Sequence, residues 1–406
     1  MLTKLLPVLS KHVQALSDAG TTKGDEAIIS GFQKPENGFG LRVLLEGYSG
    51  RPFLRMNSNA YLGLSSHPQV IAAETEAAEK YGAGPSAVRF IGGTYQPHIE
   101  LEHNLAKFHG RNAAMLFSSA YAAVIGTLPA LINEETLVIS DALNHNCIIN
   151  AIRLSKAGGK AVYSHLDLSG LEAILIKHKG QFKRVCVISD GVFSMRGDHA
   201  PLNEMLMCCK KHEADYEQGI ITMIDDSHGV GAFGTTGRGT EEVTAARADI
   251  LIATLGKAFA VNGGYVVAEQ GVIDYLKETA ASYIYSNPMT PAEAAAANVA
   301  INIATSAEGR TLLQSIKALA KQLRLGLKQA GYETLPGEHP IVPILIRDTQ
   351  KTKSLVQHLF EHNILATGLN YPVVAKGEQE IRLQVSACHT SKDIEYFLHV
   401  LAMFNK

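Results

Sequence analysis

From about residue 66 the chain alternates short β-branched apolar runs with longer amphipathic stretches, and no other feature constrains the fold as tightly. The runs Ala113–Phe117, Thr136–Ser140, Arg184–Ser189, Ile220–Asp225, Ile250–Thr254 and Tyr265–Ala268 read as strands. Helical patterns such as Tyr121–Ile132, Leu168–His178 and Pro201–His212 lie between several of them. Strands this apolar, with no polar alternation, suit a sheet buried on both faces, and parallel neighbours need helical crossovers. The expectation is an α/β protein: a large domain with a mostly parallel sheet flanked by helices. An Ala-rich helix, Pro291–Thr305, leads into a helical run through Leu327. Beyond it Ile341–Ile346, Ile381–Ser386 and helices near Thr352–His362 and Lys392–Phe404 predict a smaller α+β C-terminal domain. Residues 1–50 read as a helical arm and a loosely patterned stretch. The expected division is 1–65 for an N-terminal arm, 66–300 for the large domain and 301–406 for the small one.

Composition excludes more than it identifies. At 406 residues, 46% hydrophobic and 19% charged, the chain suits a soluble protein of more than one domain. A formal net charge of -2 gives no electrostatic reason to expect nucleic acid as a partner. No run approaches the roughly 18 apolar residues of a membrane span. The five cysteines lack CxxC spacing, so free thiols and no metal site are expected. The N-terminus resembles neither a secretory signal nor an Arg-rich transit peptide, which makes a cytoplasmic location the expectation.

Ligands of open α/β sheets bind beyond the carboxyl ends of the strands, so the residues after each run matter most. They are Asp141-Ala-Leu-Asn-His145, Asp190-Gly-Val-Phe-Ser194, Asp225-Asp-Ser-His228 and Thr254-Leu-Gly-Lys257. A single strand-end Asp is ordinarily a cap or turn residue, and a single Lys ordinarily a solvated one. Four such ends together gather carboxylates, two histidines, a lysine and hydroxyls on one edge of the sheet. That set matches Schiff-base chemistry. A desolvated lysine is nucleophilic, and a carboxylate keeps a pyridine nitrogen protonated so that the ring accepts electrons. Ser118-Ser119-Ala120-Tyr121 opens a helix and offers backbone N–H groups to a phosphate.

One motif points elsewhere. Gly229-Val-Gly231-Ala-Phe-Gly234 matches GxGxxG after a strand, but two more glycines follow in Thr235–Thr240 in place of a helical pattern. No acid closes a second strand about 20 residues later. These glycines read as a tight loop, not a dinucleotide fingerprint. The chain contains neither GxxxxGK[ST] nor GxSxG.

In unbroken order from about residue 25, the chain also carries Asn59-Ala-Tyr-Leu-Gly-Leu64, Gly82-Ala-Gly-Pro-Ser-Ala-Val-Arg-Phe-Ile-Gly-Gly-Thr94, Gly237-Arg-Gly239, Tyr285-Ser-Asn287 and Ile381-Arg-Leu-Gln-Val-Ser386. With the four strand ends, these segments resemble the α-oxoamine synthases, a branch of the fold-type I pyridoxal-phosphate enzymes. The resemblance implies that fold, a pyridoxal 5'-phosphate cofactor, amino-acid and acyl-CoA substrates, and a homodimer with shared active sites. It implies that Lys257 forms the Schiff base and abstracts the α-proton, that Asp225 pairs with the pyridinium nitrogen, and that His145 stacks on the ring. His228 and Ser194 would bond the phenolic oxygen. Thr254 and the first turn at Ser119, Ala120 and Tyr121 would hold the phosphate, joined by Ser286 and Asn287 of a second subunit. Arg382 would grip the amino-acid carboxylate, assisted by Asn59. His199, Cys147 and Cys186 receive no role.

Within the family, Ser86–Phe90, Leu143–Ile149 with Arg153–Lys156, and Tyr371–Val374 look most like the glycine C-acetyltransferases, which join glycine and acetyl-CoA or run in reverse in threonine breakdown. The run Ala258–Tyr265 is closer to the 8-amino-7-oxononanoate synthases. A serine-using or long-chain acyl-CoA relative remains open, and an aminotransferase of the same fold is the more distant alternative.

Overall fold

The computed structural model describes residues 2–19, 21–22, 26–371 and 373–404. The chain divides into two compact units. One comprises Met1–Ser58, Leu319–Pro336 and Ile341–Lys406, and the other Asn59–Ala318 with Gly337–Pro340. In the first, helix Leu6–Asp18 buries no residue and precedes three strands: β1 (Ile29–Gln33), β2 (Arg42–Leu45) and β3 (Pro52–Arg55). These strands pair antiparallel in sequence order. The loosely patterned stretch is thus a small sheet, short and partly exposed, with little apolar period to announce it.

The second unit is built on a seven-stranded sheet of β4 (Ala113–Phe117), β5 (Thr136–Asp141), β6 (Gly159–Tyr163), β7 (Arg184–Asp190), β8 (Ile220–Asp225), β9 (Ile250–Thr254) and β10 (Gly264–Ala268), in spatial order β4-β10-β9-β8-β7-β5-β6. The pairs β6–β5, β5–β7, β7–β8 and β8–β9 are parallel, and β10 runs antiparallel to both its neighbours. β4, β5 and β10 are buried along their whole length, as helices on both faces require. One core joins Met115, Val138, Ile188, Met223, Ile252 and Val266 of the sheet to Val124, Leu128 and Ile148 of the helices Ala120–Leu131 and Asn146–Leu154. The expected α/β class with a mostly parallel sheet holds. The sequence pattern missed β6, an edge strand whose first four residues alternate between half-buried and exposed before a buried Tyr163.

Returning to the first unit, β11 (Ile341–Leu345), β13 (Thr367–Leu369) and β14 (Glu380–Gln384) form a three-stranded antiparallel sheet, and β12 (Ile364–Leu365) pairs parallel with β3. Leu54 and Met56 share a core with Val342, Ile381, Leu355 and Phe397. The N-terminal strands and the C-terminal sheet are therefore one folding unit. No helix among the described residues is long and apolar enough to cross a membrane.

Candidate active site at the carboxyl edge of the large sheet

Asp190 and Asp225 close neighbouring strands and stand directly opposite each other in the β7–β8 register. Both are buried. Burial, and then the charge of Asp225, push the Asp190 carboxyl well above the usual carboxylate range, although it accepts the His145 N–H at 2.9 Å. Two carboxylates facing each other at one register disfavour each other's charge, which adds to the effect of burial. Asp225 accepts from the Ser227 N–H at 3.1 Å and, at 3.6 Å, from the Cys147 thiol.

Asn144 ties the neighbouring strand ends together. It donates to Ser140 Oγ and the Ile188 carbonyl, each at 2.9 Å, and accepts the Asp190 N–H at 2.8 Å. The next residue, His145, is the N-cap of helix Asn146–Leu154 and takes the Cys147 N–H on Nδ1 at 3.2 Å. A backbone amide can only donate, so this bond leaves Nδ1 bare and puts the ring proton on Nε2. Burial lowers the His145 pKa; Asp225 pulls it up and Lys257 lowers it again. The ring is neutral. These shifts also place the Lys257 charge within reach of His145 and Asp190, and so gather the ends of β5, β7, β8 and β9 into one site.

The loop after β8 is organised by the next carboxylate. Asp226 is fully buried and accepts both the N–H and the hydroxyl of Thr240, at 2.6 and 2.8 Å. A Cβ at Gly191, Gly229 or Gly239 would fall 2.0–2.2 Å from its oxygens. Of the glycines following His228, Gly229 packs on Asp226, Gly231 on Ala258 and Gly234 on Glu242, so the motif makes a tight loop. Burial raises Asp226 to about 7 despite the Thr240 bonds. Between Asp226 and the loop, His228 is fixed at both ends: its Nδ1 meets Tyr61 Oη at 2.8 Å, and its carbonyl accepts from His339 Nε2 at 2.9 Å.

Lys257 is half-buried on the turn after β9. The turn closes through Ala260 N–H to the Lys257 carbonyl and Val261 N–H to that of Leu255, both at 3.1 Å. Thr254 Oγ1 accepts the Gly256 N–H at 3.1 Å and donates to the Gly263 carbonyl at 3.2 Å. Alongside, Gly264 lies so close to helix Ala120–Leu131 that a Cβ would come 2.1 Å from the Ala120 nitrogen. Ser119 caps that helix through the Ala122 N–H at 3.0 Å. The remaining first-turn N–H groups, with the positive end of the helix dipole, are of the kind that can hold an anion.

The other candidates lie in separate settings. Ser194 is half-buried in the loop after β7, which is held by Phe193 N–H to Asp198 and by Arg196 Nε to Asp198 at 2.7 Å. His165 bridges Asp141 and Asp198 at 3.0 and 3.3 Å. Burial alone would lower its pKa, but those bonds and charges carry it to about 9. Ser286 and Asn287 are exposed, between the helices Ala281–Ile284 and Pro291–Thr305. Asn59 is half-buried and its carbonyl takes the Tyr61 N–H at 2.8 Å. Arg382 belongs to the other unit, half-buried on β14, with its guanidinium against the Gln384 amide oxygen. Pro372 of the Tyr371–Val374 stretch lies outside the described residues. Sequence reasoning gave no role to Asp190, Asn144, Tyr61 or His339. The first three stand inside quoted motifs, and the signal that singles out Asp190 is its cross-strand register with Asp225.

The donor set fits pyridoxal phosphate. A buried carboxylate held, among the described residues, by a backbone N–H and a thiol can take a protonated ring nitrogen. A lysine on the adjacent strand end suits the aldehyde, a neutral imidazole offers a flat face, and a capped helix N-terminus suits the phosphate. Ser227 Oγ, buried two residues after Asp225, has no hydrogen-bond partner among the described residues.

Residues 51–401 match the family model for aminotransferases of class I and II. Human mitochondrial 2-amino-3-ketobutyrate coenzyme A ligase is 38% identical over 397 residues, 97% of this chain and 90% of that protein. The 8-amino-7-oxononanoate synthase of Thermosipho melanesiensis is 39% identical over 351 residues, 86% of this chain and 87% of that one. Serine palmitoyltransferase from S. paucimobilis, solved with a bound PLP–myriocin aldimine, superposes with a TM-score of 0.87 at 25% identity, covering 100% of this chain and 98% of the other.

Proposed function

The chain belongs to the class I and II aminotransferase family and, within it, to the pyridoxal-phosphate-dependent α-oxoamine synthases, and on that premise we propose that it joins glycine to the acetyl group of acetyl-CoA, giving 2-amino-3-oxobutyrate and CoA. The observation that carries this choice is reach: likeness to the human ketobutyrate ligase extends over 97% of the chain, against 86% for the T. melanesiensis oxononanoate synthase.

Bound pyridoxal phosphate supplies an electron sink for the pair left when the amino-acid α-proton departs. The protein does the rest. Lys257 would anchor the cofactor through its amine, and the same amine, when free, would take that proton. Asp225 would pair with the protonated ring nitrogen, and burial together with the charge of Asp225 raises the pKa of Asp190 across the sheet. His145, fixed by its cap bond, presents a flat uncharged face. His228, oriented by Tyr61, and Ser194 serve the phenolic oxygen. Thr254 with the N–H groups at Ser119, Ala120 and Tyr121 holds the phosphate, joined by Ser286 and Asn287 from a second copy, which makes the enzyme a homodimer. Arg382 would take the amino-acid carboxylate in a two-pronged bond, assisted by Asn59. A cytoplasmic location is part of the same reading.

The test is CoA release from purified enzyme over a grid of glycine, alanine and serine against acyl-CoAs of rising chain length. Glycine with acetyl-CoA should turn over fastest, with no CO2 released. Faster reaction of alanine with a longer acyl-CoA, with CO2, would favour the oxononanoate-synthase type instead, whose likeness at 39% identity keeps it the second reading. Activity with a 2-oxo acid and no CoA release would mark an aminotransferase.

A further inference from the structure

The mechanism above leaves the buried thiol of Cys147 without a use. Cys147 is 2% exposed, in the first turn of helix Asn146–Leu154. Its Sγ lies 2.9 Å from His145 Nδ1 and 3.6 Å from Asp225 Oδ2. The destination of the thiol proton follows from a third bond. The Cys147 backbone N–H donates to His145 Nδ1 at 3.2 Å, and the lone pair of a neutral imidazole serves one donor well. The S–H is left for Asp225 Oδ2. Burial, and then the charges of Asp225 and Asp190, push the thiol far up, so it keeps that proton at any working pH. The other Asp225 oxygen, Oδ1, takes the Ser227 N–H at 3.1 Å. Charged or titratable groups acting on this cluster come from three further strand ends: Asp190, His145 and Lys257.

We infer that Cys147 is a positioning residue for Asp225. Its thiol and the Ser227 N–H hold one oxygen each and so fix the plane of the carboxylate, while its own backbone N–H fixes the His145 ring. One residue therefore aligns both the edge partner and the face partner of the cofactor ring. The inference rests on the proposed pairing of Asp225 with the ring nitrogen. The thiol donates weakly, so the carboxylate is oriented without being saturated and retains capacity for a stronger, charged donor.

Two measurements test it. In the protein without cofactor, the S–H infrared stretch of Cys147, isolated by subtracting the Cys147→Ser spectrum, should sit at a hydrogen-bonded frequency and move toward the free value in Asp225→Asn. In the holoenzymes, Cys147→Ala should bind pyridoxal phosphate about three- to tenfold more weakly and shift the pH midpoint of its absorbance band, with Cys147→Ser within about twofold of wild type. A free S–H frequency in the wild type overturns the inference, as does a Cys147→Ala enzyme with unchanged affinity and midpoint, or a serine enzyme as impaired as the alanine one. If the alanine protein fails to fold, the infrared measurement alone decides. Should wild type bind no pyridoxal phosphate, the proposed function fails, and the S–H frequency still reports on Cys147.

Discussion

Asp393 and Asp225 are both buried aspartates, one in each unit, and they are treated in opposite ways. Asp393 accepts from Arg42 at 2.5 Å, from the Gly40 and Thr390 N–H groups at 3.0 and 2.8 Å, and from the Thr390 hydroxyl at 3.1 Å. It has a cation and three neutral donors, and it pins the residues before β2 to the start of helix Ser391–Phe404. Asp225 receives one backbone N–H and one thiol, and faces another acid across the sheet. A saturated carboxylate is structure. A buried carboxylate with few donors, in a fold that supplies donors readily elsewhere, is a candidate for a ligand, which is the role proposed for Asp225.

The largest expected effect lies on the Asp225 side of the comparison. Lys257→Ala should lose the yellow colour of the loaded enzyme and all turnover; a colourless wild type supplied with pyridoxal phosphate, or an active alanine variant, breaks the comparison outright. Asp225→Asn should lower turnover about 100-fold or more, while denaturant unfolding shows stability held or raised, because a charge opposite Asp190 is gone. Asp393→Ala should do the reverse. It costs about 3–5 kcal/mol by stranding Arg42, with kcat per folded molecule unchanged. Arg382→Ala should raise the amino-acid KM about 10- to 100-fold with a smaller change in kcat; an unchanged KM removes Arg382 from the carboxylate. The mildest effect concerns His165, whose folded pKa of about 9 exceeds the ordinary 6.5. Its stabilisation is complete below pH 6.5 and fades as pH rises through 9. The stability gap between wild type and His165→Gln should narrow between pH 6 and 9.5.

How much of this was legible depended on whether the determining contacts were local. β8 and β9 were read end to end because strands covered on both faces must be apolar throughout. β6 was not, since an edge strand is half-exposed, nor were β1–β3, whose closure depends on β12 pairing with Leu54 from some 300 residues away in the chain. The strand-end acids stood out as residue types. The division of labour among them did not, because the raised pKa of Asp190, the His145 tautomer and the Cys147 thiol bond are set by burial, by cross-strand register and by one backbone N–H. Ser286 and Asn287 were named from family likeness alone, and in a single chain they are exposed.

The three glycines packed against Asp226 come from the loop after β7, the loop after β8 and the turn before Thr240, so one carboxylate acts as a common rivet for segments that carry Ser194 and His228. That rivet limits evolvability. A saturation library across these loops should show Gly191, Gly229 and Gly239 as empty columns beside permissive exposed neighbours. Attempts to broaden substrate range by directed evolution will find their freedom elsewhere, in side chains that can change without displacing a backbone already in contact with Asp226.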